Sequence, residues 1–174
     1  MIIAAIDPGP LTSGYVLWNT EIPRVIDAGD DVTNAVLLRD VLPRMFGAAG
    51  QREVRLAIEK VMCYGRPVGA PVLDTVFFSG RIAERWELRT GTPAAIVPFA
   101  SVAAHFCHQN NAKESYVRQA LMDRFGGKGT AKAPGVFYRV TGHAWSACAL
   151  AVYIMDTTPA WTPLNPQIVQ SLEG

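Results

Sequence analysis

The chain opens on an unbroken apolar run, residues 2–6, which ends abruptly at Asp7 and is followed by Pro8 and Gly9. A short apolar run bounded by a turn signal predicts a buried strand. Residues 12–18 predict its hairpin partner across a turn at 7–11, and residues 24–28 predict a third antiparallel strand. Residues 33–47 carry Val36, Leu37, Val41 and Met45 at helical spacing, with Thr33 or Asn34 placed to cap the helix. Further strands are predicted at 54–58 and 95–98. Helices are predicted at 72–90, closed by Gly91, and at 99–109. Two more follow at 112–125, ended by Gly126-Gly127, and at 143–155. Residues 63–71 and 128–138 are Gly- and Pro-rich loops. Strands followed by alternating helices and strands predict an α/β domain, a mixed sheet with helices on its faces. That domain is expected to occupy residues 1–158, with 159–174 as a Pro-rich tail.

Composition narrows the picture. At 174 residues the chain suffices for one domain with a sizeable core. Hydrophobic residues at 49% and charged residues at 18% exclude a disordered chain. The net charge of +1 favours no class of partner, since a neutral total can hide a basic face. Cys63, Cys107 and Cys148 form no close pair, which fits a reducing compartment and gives neither a disulfide framework nor zinc-ligand spacing. No signal-peptide pattern opens the chain and no apolar run is long enough to span a bilayer, so a cytoplasmic protein with no membrane partner is expected.

The chemistry lies at the strand ends. The run at 54–58 finishes on Glu59 as the first run finishes on Asp7. A carboxylate at the end of a core strand is costly unless it is paired, hydrogen-bonded or metal-bound. Two such acids suggest a pair built to hold a divalent cation, and oxygen donors on a rigid sheet suit Mg²⁺ or Mn²⁺. Each acid also has a plainer explanation. Asp7 could cap the turn that follows it, and Glu59 could be an end-of-strand charge facing water.

Ile6-Asp7-Pro8-Gly9 followed by Ser13-Gly14-Tyr15 resembles the first strand and turn of RuvC-type Holliday-junction resolvases, members of the ribonuclease H-like superfamily. Ile58-Glu59-Lys60-Val61-Met62 is similar to the second acidic motif of that family. Residues 112–117, Ala-Lys-Glu-Ser-Tyr-Val, resemble its small-Lys-x-x-x-Val helix start. His143, Ser146 and the small residues after them resemble its C-terminal helix. Gly65-Arg-Pro-Val-Gly69 and Phe78-Ser-Gly-Arg81 look like RuvC-like sequences from bacteriophages. The resemblance runs from residue 2 to residue 155 with its blocks in order.

It implies a ribonuclease H-like five-stranded mixed sheet flanked by helices. It also implies a homodimeric endonuclease with two Mg²⁺ or Mn²⁺ ions per site, cutting four-way or otherwise branched DNA. Asp7, Glu59 and His143 would be metal ligands, with Ser146 as the fourth member of the catalytic set. The family pattern expects an acid at 143, at 146 or at both, and the chain has none between Asp123 and Asp156. Three explanations of Ser146 stay open: an engineered replacement of Asp, a natural serine with water or Asp74 completing the shell, or a degenerate site that only binds DNA.

Basic residues give the second theme. Lys60 and Arg66 flank the loop after Glu59, and Arg81, Arg85 and Arg89 recur every fourth residue, one stripe on a helix. Such a stripe can track phosphates, or it can be a solvated face pairing with Glu84 and Glu87. Lys113 matches the family's phosphate-contacting lysine, and Lys128 and Lys132 lie in a Gly-rich basic loop. Met62 or Tyr64, directly after the second acid, could stack on an exposed base or pack on their own domain. Two other functions compete with the nuclease. One is a branched-DNA-binding protein with an impaired site. The other is an ATP-using member of the actin-like fold, against which the lack of a second Gly-rich phosphate loop weighs.

Overall fold

A computed structural model describes residues 1–49, 53–63, 65 and 67–158. The chain begins with three antiparallel strands, β1 (Ile2–Asp7), β2 (Thr12–Asn19) and β3 (Arg24–Thr33). A continuous helical run follows as α1 (Asn34–Val36), a π turn (Leu37–Val41) and α2 (Leu42–Ala49). Next come β4 (Val54–Lys60), α3 (Ala70–Thr90), β5 (Ala95–Pro98), α4 (Phe99–Cys107), α5 (Glu114–Phe125) and α6 (Ala144–Thr157). The sheet order is β3-β2-β1-β4-β5, with β4 parallel to both β1 and β5.

The fold class is the one expected. The third strand is longer than the sequence suggested, and α5 starts two residues later, at Glu114. The expected Pro-rich tail, like Tyr64 and Arg66, lies outside the described residues.

Strand periodicity divides the core in two. Ile3, Ala5 and Ala57 point to the face covered by α4, α5 and α6. Ile2, Ala4, Ile6, Leu56 and Ile58 point to the other face, under the 34–49 run and α3. On the first face α6 lies across β1 and β2. Ala144, Ala147, Cys148, Ala149 and Ala151 are buried and small, so the helix comes close to strands that are themselves rich in alanine. On the second face α3 buries one stripe, Thr75, Phe78, Ile82 and Trp86. Gly91 closes α3 at φ +70, the left-handed cap that glycine accepts without strain.

The π turn is the departure from a regular helix at 33–47. Its wider turn lets neighbouring apolar residues, Leu37 with Leu38 and Val41 with Leu42, all be buried against the sheet. The expected N-cap also serves a different purpose. Thr33 holds the cap position without a side-chain bond, while Asn34 reaches back to the turn after β1.

Candidate metal and nucleic-acid site

Asp7 and Glu59 meet because of register. β1 and β4 are parallel neighbours with Ile6 opposite Ile58, so the next residue on each strand is the acid. Both acids share the parity of Ile3, Ala5 and Ala57 and therefore face α6. The turn after Asp7 is fixed by side chains. Ser13 Oγ donates to Asn34 Oδ1 at 2.8 Å, and Asn34 Nδ2 donates to the Gly9 carbonyl at 3.0 Å. The Gly9 amide donates to Ser13 Oγ at 3.3 Å.

The N-terminus of α6 supplies the third group. His143 Nδ1 lies 3.0 Å from Asp7 Oδ2, and the imidazole is largely exposed while the Asp7 side chain is mostly covered. Two features hold His143 there. Gly14 pairs with Asp7 across the β1–β2 ladder, and a Cβ on it would lie 2.5 Å from the His143 carbonyl carbon. Asp30 Oδ1 accepts the His143 backbone N–H at 2.8 Å, which ties the residue just before α6 to β3. Asp30 sits in a β-bulge of β3, next to Asp31 at φ 55, and the bulge turns it toward the helix.

Burial dominates the electrostatics of both acids. Burial pushes Glu59 up to about 8, and the charges of Asp7 and Glu114 push the same way. Burial also raises Asp7 to about 6, against the lowering effect of the His143 hydrogen bond and charge. The hydrogen bond to Asp7 raises His143. No basic side chain offsets the burial of Glu59 among the described residues.

An oxygen-donor pair in this condition suits a hard divalent cation, with the His143 imidazole as a third donor. No group of three or more His, Cys, Asp or Glu side chains is drawn together into a ready-made cage among the described residues.

A cleft of about 420 Å³ opens over Glu59 and His143, with Lys60, Met62 and Phe99 also on its walls. Lys60 and Met62 are exposed at its rim. Ser146 does not line this cleft. It is 7% exposed, makes no side-chain hydrogen bond among the described residues, and lines a smaller pocket with Glu114, Phe99 and Trp145.

The remaining sequence candidates are spread more widely. Arg81, Arg85 and Arg89 are exposed along α3, and among the described residues none of them is ion-paired with Glu84, Glu87 or any other acid. Asp74 is exposed early on the same helix. Lys113 is the exposed N-cap residue of α5. Lys128 stacks on Trp145 at 5.5 Å from the ring centre. Lys132 is exposed at the tip of a loop that makes its own turn, with Thr130 and Ala133 bonded backbone to backbone.

Asp30 and Glu114 are the two residues that sequence reasoning passed over. The signal for Asp30 was Gly29-Asp30-Asp31, a polar break inside a strand. Glu114 was hidden beside Lys113, the residue that the family pattern emphasised.

No protein-family model matches the chain, and no curated protein matches it. Solved structures do. The chain is similar to Thermus thermophilus RuvC, with a TM-score of 0.62 at 18% identity over 88% of this chain and 92% of that one. It is also similar to T. thermophilus RuvC in complex with a Holliday junction substrate, with a TM-score of 0.60 at 17% identity over the same shares. The fold is therefore the ribonuclease H-like α/β fold of RuvC. No helix among the described residues is long and apolar enough to cross a membrane.

Proposed function

We propose that the protein is a divalent-metal-dependent endonuclease that nicks four-way and other branched DNA. The observation that carries this reading is the register-fixed pair Asp7 and Glu59, with His143 over it, on a fold shared with RuvC. Asp7, Glu59 and His143 would hold Mg²⁺ or Mn²⁺, two ions being the expected complement. When bound, the metal supplies an activated water and stabilises the leaving oxygen of a phosphodiester.

The chain's own residues do the rest. Asp30 and Gly14 keep His143 against Asp7. Lys60 at the cleft rim and the arginines along α3 attract the phosphate backbone. Met62 is exposed at the same rim and gives an apolar surface for an unstacked base.

A second copy is assigned to the outward face of α3. Leu73, Val76, Phe77 and Leu88 are exposed there, opposite the buried stripe, and Gly80 among them has open space at its Cβ. A two-fold dimer presents two sites to two opposed strands of a junction. The resemblance of residues 65–69 and 78–81 to phage sequences supports a reading in phage DNA processing inside a host cell.

The test is cleavage of a labelled four-way junction against linear duplex, with Mg²⁺ or Mn²⁺, by this chain, Asp7→Asn and Ser146→Asp. Paired nicks in the junction that disappear in Asp7→Asn are expected. Ser146, a neutral buried side chain on α6, favours a second reading, a protein of the same fold that binds branched DNA without cutting it. Tight junction binding with no cleavage by the parent or by Ser146→Asp would establish that reading.

A further inference from the structure

A second cleft of about 420 Å³ lies along β3, the outer strand of the sheet, and shares no lining residue with the first. One wall is β3 from Arg24 to Ala28, and the other is residues 134–139 of the loop before α6. That loop is anchored from inside. Phe137 and Val140 are fully buried, and Phe137 stacks on Trp18 with 5.9 Å between ring centres. Tyr138 and Arg139 lie between the two anchors and line the cleft, the Arg139 guanidinium 5.5 Å from the centre of the Tyr138 ring. Arg139 has φ 66, the left-handed region that glycine accepts and a long side chain seldom does. Arg24 is exposed on the β3 wall, and among the described residues neither arginine is ion-paired. The one acid among the described lining residues, Asp27, is already engaged. Its Oδ2 accepts the Tyr15 hydroxyl at 3.0 Å and lies 3.6 Å from Arg44 Nη1. Two unpaired guanidinium groups lining one cleft suit an anion that a donor fork can grip.

Both walls lead toward the candidate metal site. Asp30 follows Ala28 by two residues, roughly 7 Å of strand, and His143 follows Arg139 by four. Those two residues are joined by the 2.8 Å bond from the His143 amide to Asp30. Resting on the nuclease reading, we propose that this cleft holds the phosphate backbone of the DNA strand beside the cut, with Arg24 and Arg139 as its phosphate contacts. The buried Phe137 and Val140 keep Arg139 in its unusual backbone conformation, and Tyr138 steadies the guanidinium. A peptide strand added to β3 fits less well, because the Val136 carbonyl already takes the Val25 amide at 3.4 Å.

The test is fluorescence anisotropy of a labelled four-way junction with the full chain in EDTA, across salt concentrations, beside junction cleavage in Mg²⁺. The parent, Arg24→Ala, Arg139→Gly, Arg139→Lys and the double variant Arg24→Ala/Arg139→Gly are compared. Each lost phosphate contact is expected to weaken binding about fivefold at about 0.15 M salt and to lower the salt slope by about one. The double variant should lose about the product of the two effects, and Arg139→Lys should recover most of the loss at its position. Arg139→Gly should melt no lower than the parent, since glycine accepts φ 66, which separates a lost contact from a lost fold. Parent-like affinity and salt slope in the double variant overturn the cleft as a DNA site and leave it to a peptide strand, while cleavage by the parent keeps the nuclease reading. Weaker binding at an unchanged salt slope, not recovered by Arg139→Lys, also overturns it, because it marks a purely structural loop. A parent that neither binds nor cuts the junction overturns both readings together.

Discussion

Helices α6 and α3 both pack on the sheet, yet they are used differently. Almost every residue of α6 from Ala144 to Val152 is buried, on all sides of the helix. α3 buries one stripe and leaves Leu73, Val76, Phe77 and Leu88 in the open. A helix surrounded by protein is fixed in position and register, so it suits the side chains that must meet Asp7 and Glu59. A helix with a spare apolar face suits contact with something else. The difference separates the helix that carries His143 from the face proposed here for assembly.

The largest effect that tests this contrast is on stability. Leu150→Ala on α6 is expected to lose about 3 kcal/mol, because its side chain is 1% exposed and a cavity would remain. Leu88→Ala on α3 is expected to change stability by no more than about 0.5 kcal/mol. Urea denaturation measures both, and equal losses would erase the distinction. The next effect is on assembly. Phe77→Glu places a charge on the open face of α3 and is expected to convert a dimer into a monomer with unchanged secondary structure. Light scattering on the parent and the variant decides this, and a monomeric parent would remove the assigned role of that face.

A smaller effect sharpens the α6 side. Asp7 and Glu59 bind protons more tightly in the folded chain than an ordinary carboxylate does, at about 6 and about 8. The folded state therefore holds more protons than the unfolded state between the usual carboxylate range and about pH 8. Stability must fall as pH rises through that window. Thermal melting of the metal-free protein from pH 5 to pH 8 should show the decline, and Glu59→Gln should flatten it. Mn²⁺ should reverse the trend, because a bound cation favours the ionised acids. A melting temperature that climbs across the same range without metal would contradict the electrostatics of the site. The smallest effect is on DNA. Arg85→Glu should weaken junction binding modestly and lower its salt dependence by about one phosphate contact or slightly more, as filter binding across salt concentrations would measure.

The sheet was legible because its pattern is local. The unbroken runs ending at Asp7 and Glu59 announced two buried strands and their acids, and Gly91 announced the end of α3. The pairing of those acids rests on parallel register, which no local pattern states; two strands with the same acidic ending suggested it, and the resemblance agreed. What escaped depends on tertiary neighbours. Asp30 acts on His143 from a bulge more than a hundred residues earlier in the chain. Asn34 looked like a helix cap and is instead a strut for the turn after β1. The charge of Glu114 acts on both acids from the start of α5, and Lys113 beside it drew the attention that spacing alone could give. Ser146 was expected with the catalytic set and lies in an adjoining pocket.

Gly14 carries a consequence for the order of assembly. Its own strand pairing with β1 requires no missing side chain, so the β1–β2 hairpin could form with alanine there. The gap is needed only when the start of α6 settles over the hairpin, since a Cβ would meet the His143 backbone and side chain at 2.5 to 2.7 Å. Docking of α6 can thus be separated from formation of the hairpin, and Gly14→Ala should hold the chain short of that docking. Such a protein would keep slow amide exchange in β1, β2 and β4, exchange rapidly at the start of α6, and hold its acids on a sheet that the imidazole never reaches.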